Sequence, residues 1–314
     1  MNYLKDYREG EKFVGTYLCK QKQILKTKAG KTYYSLTLQD KTGTADGKIW
    51  ELNNGIANIE PMDYIHCEGM VTSFQGNLQM NISRVRISDE GEYDPADYVP
   101  CTNKDVGEMF SRILKYVASV QNKYLRKILE MYFVENKEFV DAFKKHSAAK
   151  SVHHGFMGGL LEHTLSVTDM CQYFAEHYPM IHRDLLITAA LFHDMGKIQE
   201  ISDFPMNDYT DDGQLLGHIY IGARCMENAA AQIPNFPPKL KNELVHCILA
   251  HHGKMEFGSP KVPAIMEAMA LHMADNADAK LQTLTEVFTQ AGDNMGWLGF
   301  NRMFESNLRK TSEE

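Results

Sequence analysis

The chain has 314 residues, 44% of them hydrophobic, and a formal net charge of −8. That length exceeds what one core needs and suits two domains. No apolar run reaches the roughly 18 residues that span a bilayer, and the charged opening MNYLKDYREGEKF lacks the form of a signal peptide. The six cysteines contain no CxxC pair, so free thiols in a reducing cytoplasm are expected.

Residues 12–88 read as β structure. KTYYSLTLQD alternates polar and apolar side chains, DKTG supplies a turn, and TADGKIW opens a further strand. DYIHCEGMVTSF and LQMNISRVRI give two more around the turn QGN. Short strands at this spacing predict a small five-stranded barrel. Between Lys12 and Lys48 eight lysines face only Asp40 and Asp46, a local balance of +6 on an acidic chain, which suits either a phosphate-binding face or a solvated strand surface. YYSLTLQDKTGTADGKIW resembles the strand–turn–strand of OB-fold domains that bind nucleic acids. A first, all-β OB-barrel domain is therefore placed at 1–90. The acidic, proline-containing stretch 91–105 is read as a linker.

From 106 to 314 the periodicity is helical. VGEMFSRILKYVASV, YLRKILEMYFV, GGLLEHTLSVTDMCQYFAEHY, DLLITAALFHD, GHIYIGARCMENAAAQI, KLKNELVHCILAHH and PAIMEAMALHMADNADA all carry apolar residues at i, i+3, i+4 spacing. No strand is required after 105, and the role of the last residues, FNRMFESNLRKTSEE, is left open by the sequence, a terminal helix packing on a neighbour being one reading.

Twelve of the thirteen histidines lie between His146 and His272. Within apolar helical segments, or at their ends, come in order His163, His193-Asp194, His218, His251-His252 and Asp275. Buried imidazoles and carboxylates in such segments are costly unless they converge on something that pairs with them. Without thiolates the set suits divalent Mn, Fe, Co or Ni, and zinc also fits. There are too many donors for one ion. Two ions about 3.5–4 Å apart sharing one carboxylate would use them and acidify a water between them to hydroxide, ready to attack a phosphodiester in line.

The ordered set H…HD…H…H…D resembles the HD-domain metal-dependent phosphohydrolases over about 150–280. That resemblance implies a first ion on His163, His193, Asp194 and Asp275, with Asp194 bridging. It implies a second ion on His218 and His251, with His252 as a further ligand. Lys197 matches the HDxGK form, whose lysine faces the substrate phosphate, so Asp194 and Lys197 are the expected catalytic pair. His153 and His154 either line the site or cap the helix of His163. His246 and His272 are expected behind the ligands or in the core, His146, His177 and His182 at the surface, and Asp278 as a solvated carboxylate.

Across both domains, VHHGFMGGLLEHTLSV, ALFHDMGK and the spaced HH and AD pairs resemble the YhaM family of bacterial 3′→5′ exoribonucleases. The resemblance implies hydrolysis of single-stranded RNA, and often single-stranded DNA, to nucleoside 5′-monophosphates with Mn²⁺ favoured. Tyr33, Trp50, Lys31 and Lys48 would then bind the strand on the barrel through stacking and phosphate contacts. Two other readings stay open: an HD-type small-nucleotide phosphodiesterase, and a non-catalytic single-strand-binding replication protein. The many apolar helices leave room for a homo-oligomer.

Overall fold

The computed structural model describes residues 3–53, 55–74, 77–150 and 154–312. The chain divides into two compact units, residues 1–101 with 203–206, and residues 102–202 with 207–314.

The first unit is built on β1 (Lys12–Lys26), β2 (Thr32–Asp40), β3 (Gly43–Ile49), β4 (Tyr64–Phe74) and β5 (Asn77–Ile87). They close into a barrel in the order β1-β2-β3-β5-β4, with β4 returning to β1 and β3 running parallel to β5. This five-stranded Greek-key closure is the OB architecture, in which each strand is paired on both sides over at least part of its length. Alternation places Leu36 and Leu38 of β2, Ile49 of β3, Ile65 and Cys67 of β4 and Ile82 of β5 in one interior core. The stretch after β5 packs rather than dangling. Tyr93 stacks on Tyr64 with ring centroids 4.0 Å apart, Tyr98 and Val99 are buried, and Gln39 donates to the Tyr98 carbonyl at 2.9 Å. The QGN turn lies largely outside the described residues.

The second unit contains α1 (Val106–Ser119), α2 (Lys123–Phe133), α3 (Lys137–Lys145), α4 (Gly159–His177), α5 (Arg183–Phe192), α6 (Lys197–Glu200), α7 (Asp211–Ala231), α8 (Pro238–Ala250) and α9 (Met266–Gln290). Side-chain caps start several of them: Asp105 accepts from the Glu108 amide, Asn122 from Tyr124 and Leu125, and Thr210 from Gly213. In α5 every residue from Leu185 to Phe192 is buried, as expected of a helix enclosed on all sides. α4, α8 and α9 pack around α5, so the polar residues at its end lie inside the bundle.

The unit is not wholly helical. Phe300–Asn301 and Ser306–Asn307 pair as a short antiparallel ladder in a region where the sequence requires no strand. The Asn301 side chain accepts from the Met303 amide and Glu305 sits at φ 49°, so the chain turns back on itself instead of coiling. Among the described residues no helix is long and apolar enough to cross a membrane.

Candidate metal centre

His193 and Asp194 follow directly on the apolar α5. The helix end leaves carbonyls without partners, and His193 Nδ1 lies 2.8 Å from the Ala190 carbonyl, satisfying one of them. α8 ends the same way: His251 Nδ1 lies 2.7 Å from the Ile248 carbonyl. In both cases the ring turns back over its own helix end and presents Nε2 to the bundle interior. His163 lies in the run Gly159–Leu165, buried throughout, so its ring also faces inward.

Two glycines bring His218 to this group. A Cβ on Gly196 would run into the His218 carbonyl, so the glycine of HDMGK permits the close approach of the α6 and α7 backbones. Gly217 then breaks α7 at φ 71°, ψ 152°, a conformation that favours glycine. Just after the break, the His218 amide and its Nδ1 both meet the Glu200 carboxylate, at 3.0 and 2.9 Å.

The side chains converge on Asp194, whose side chain is 1% exposed. Its Oδ2 lies 3.3 Å from His163 Nε2 and 3.5 Å from His193 Nε2. Its Oδ1 lies 3.6 Å from His218 Nε2 and 3.7 Å from His251 Nε2. Asp275 Oδ1 closes the first half, 3.2 Å from His163 Nε2 and 3.9 Å from His193 Nε2. His252 joins the second half, its donor atom lying within 4.8 Å of those of His218 and His251. One carboxylate therefore stands between two groups of imidazoles.

These spacings fit divalent cations. Two donors on one cation, each about 2.0–2.2 Å from it, lie about 2.8–3.6 Å apart when adjacent in octahedral or tetrahedral arrangements and about 4.0–4.4 Å apart when trans in an octahedron, and the separations of 3.2–3.9 Å found here lie within that span. Asp194 Oδ1, His218 Nε2 and His251 Nε2 are buried with no hydrogen-bond partner among the described residues. Three inward-facing orphaned polar atoms in one place would be costly in an ordinary core. As ligands to a cation they are all satisfied.

Tautomers agree. Each of the five rings has Nδ1 opposite an acceptor: Asp278 for His163 at 2.7 Å, Glu200 for His218 at 2.9 Å, and the Ala190, Ile248 and Phe257 carbonyls for His193, His251 and His252. With Nδ1–H donating, Nε2 keeps its lone pair for a metal. Burial pushes His193 down to about 4 and His252 down to about 3, so both rings are neutral near pH 7. Burial opposes the charge on Asp194, but Lys197 and His193 outweigh it and hold the carboxyl well below the usual carboxylate range. For Lys197 burial opposes the charge too, and Asp194, 2.6 Å away, overcomes it and raises the pKa.

The remaining sequence-derived candidates lie elsewhere. His153 is outside the described residues. His154 is buried on the Nδ1 side of His163, with Nε2 2.9 Å from Asp278. On the barrel, Tyr33 stacks on the exposed Trp50 with ring centroids 4.5 Å apart. Lys48 is held by Ser35 and Asp46, each at 2.6 Å, and the exposed Lys31 pairs with Glu51 at 3.2 Å.

Two expectations are corrected. Asp278 is not a solvated carboxylate: it is 7% exposed and bonded to His154, His163 and Ser166. His146 is not at the surface: it is 2% exposed, with its ring nitrogens against the Ser147 and Ile201 carbonyls. Glu200 had not been singled out. Its only sequence signal is its position three residues after Lys197, at the end of α6, the short helix that follows the HD pair.

Residues 160–280 match the HD domain family. The chain is 32% identical over 257 residues to the 3′-5′ exoribonuclease YhaM of Geobacillus sp. (strain WCH70), covering 81% of this chain and 78% of that protein. It is 32% identical over 262 residues to the Bacillus subtilis (strain 168) protein of the same name, covering 81% of each. It is 33% identical over 298 residues to that of Listeria innocua serovar 6a, covering 90% of each. Among solved structures, the second OB-fold domain of replication protein A from Methanococcus maripaludis is 20% identical at a TM-score of 0.24, covering 29% of this chain and 98% of that one. With the HD match spanning the helices that carry the convergent histidines, and relatives aligned over most of both lengths, the chain belongs to the YhaM family of 3′-5′ exoribonucleases.

Proposed function

We propose that the chain is a metal-dependent exoribonuclease that shortens single-stranded RNA, and single-stranded DNA as a second substrate, from the 3′ end. The products are nucleoside 5′-monophosphates. The observation that carries this reading is the set of orphaned buried donors, Asp194 Oδ1, His218 Nε2 and His251 Nε2, beside the tighter His163–His193–Asp275 group. The substrate and direction come from the named relatives.

His163, His193, Asp194 and Asp275 would hold one divalent cation, and His218, His251, His252 and the second oxygen of Asp194 another. Bound there, two such ions supply Lewis acidity toward the phosphate oxygens and an acidified water at neutral pH, with Mn²⁺ the expected ion. Asp194 fixes the spacing of the two halves through its two oxygens. Lys197 reaches the same carboxylate and would balance charge on a non-bridging phosphate oxygen as it builds up during displacement. On the barrel the exposed Trp50, backed by Tyr33, offers a face on which a base can stack. Lys31 would exchange its exposed Glu51 partner for a phosphate, and Lys48 would keep the Asp46 edge of that face near neutral.

The test uses 5′-labelled single-stranded RNA with Mn²⁺, Mg²⁺ or chelator. A ladder that shortens from the 3′ end in Mn²⁺ and vanishes with chelator is expected. Intact RNA together with hydrolysis of cyclic or free nucleotides would move the function to a small-nucleotide phosphodiesterase. Binding that survives chelation without any hydrolysis would leave a single-strand-binding protein.

A further inference from the structure

We infer that Asp278 and Glu200 are positioning residues, one for each half of the metal centre, and that each sets the cation affinity of its own half through a single histidine. The inference rests on the two-cation reading above. Three of the five converging imidazoles are pinned at Nδ1 by neutral backbone carbonyls. The other two are pinned by carboxylates, His163 by Asp278 and His218 by Glu200, and these two rings belong to different halves. A carbonyl fixes the tautomer and the ring rotation. A carboxylate does both and also sets a full negative charge against the ring, which strengthens Nε2 as a donor.

The geometry of each carboxylate suits that task. Asp275 and Asp278 stand one turn apart on α9, an axial rise of about 4.5 Å. They bracket the His163 ring, Asp275 at Nε2 and Asp278 at Nδ1, with separations of 3.2 and 2.7 Å. Asp278 cannot turn toward the cation itself. Its Oδ2 already takes His154 and His163, and its Oδ1 takes the Ser166 hydroxyl from the same helix as His163. Glu200 grips His218 twice, at the backbone amide and at the ring, on the far side of the Gly217 break. Among the described residues neither carboxylate has a lysine or arginine partner; their ion pairs are with histidines alone. Two buried anions whose nearest counter-charge is delivered through an imidazole, with Lys197 acting on Glu200 only from beyond ion-pair distance, are poorly explained as fold-stabilising salt bridges. They are explained if the counter-charge is a cation on the other side of the ring.

The experiment titrates the full-length, metal-free protein with Mn²⁺ by calorimetry, for the wild type, Asp278→Asn and Glu200→Gln. Melting of each metal-free protein and the kcat and KM for RNA are measured alongside. Expected are two binding events in the wild type. Each variant should weaken a different one by about 10- to 100-fold and leave the other unchanged. The expected kinetic signature is a fall in kcat with KM for RNA retained. A purely structural role would lower the melting temperature of the metal-free variants and leave both affinities in place, which would overturn the inference. If Asp278→Asn does not fold, Glu200→Gln decides alone: unchanged affinities in it refute the inference. A wild type that binds no Mn²⁺ would instead refute the two-cation reading itself, whatever the variants do.

Discussion

Replacing Lys197 by methionine should destabilise the metal-free protein far more than the metal-loaded one. Lys197 Nζ lies 2.6 Å from Asp194 Oδ2, and the two side chains are 12% and 1% exposed. Coulomb's law at an effective dielectric of about 20 gives roughly 6 kcal/mol of attraction at that separation. Desolvation of both ions offsets part of it, and deleting one partner of such a buried pair costs about 3–5 kcal/mol. For a helical unit of this size, with about 2–4 °C per kcal/mol, the melting temperature should fall by about 6–20 °C in chelator. With Mn²⁺ in place the carboxylate is neutralised from its other side, and the shift should shrink to a few degrees. Methionine keeps the apolar stem packed, so lost packing does not account for the difference. The assay is a pair of thermal melts, wild type and Lys197→Met, each in chelator and in saturating Mn²⁺. An equal drop in both conditions would refute the idea that Lys197 and the cations share Asp194.

Further outcomes follow from the same geometry. Asp194→Ala should abolish hydrolysis and at least one calorimetric binding event, because both halves of the centre meet on that carboxylate; retained turnover would remove Asp194 from the centre. Gly217→Ala places a Cβ at φ 71° and should cost about 1–3 kcal/mol of stability while weakening the His218 half, which melting and Mn²⁺ titration of the variant will register. Trp50→Ala should raise KM for RNA by an amount equivalent to about 1–3 kcal/mol of lost stacking, with kcat little changed; an unchanged KM would place the strand elsewhere. Adding saturating Mn²⁺ to chelated wild type should raise its melting temperature, increasingly so with ion concentration, and a flat response would argue against resident cations.

Much of the centre was legible because its residues break a pattern. His163, His193, Asp194, His218, His251 and Asp275 are polar groups in apolar helical segments or at their ends, where burial is expected. The barrel was legible from the period-two alternation of β2 and the turns around it. What the sequence hid were residues whose burial is decided by distant neighbours. Asp278 shares a helix face with Asp275, but that spacing does not distinguish a carboxylate in water from one wedged against His163, His154 and Ser166. Glu200 depends on the break at Gly217, which brings the His218 amide and ring to one carboxylate. His146 is expected at the surface, yet its ring is tied to the Ile201 carbonyl, 55 residues along the chain. The C-terminal turn was missed because its pairing is local and only two residues long on each side.

The most direct measurement is a crystal structure of the protein loaded with Mn²⁺, with data collected at the manganese edge. Two anomalous peaks about 3.5–4 Å apart, one on each side of Asp194, are expected. The first should be ringed by His163, His193 and Asp275, and the second by His218, His251 and His252. A single peak, or peaks away from Asp194, in crystals of protein that hydrolyses RNA would contradict the two-cation centre.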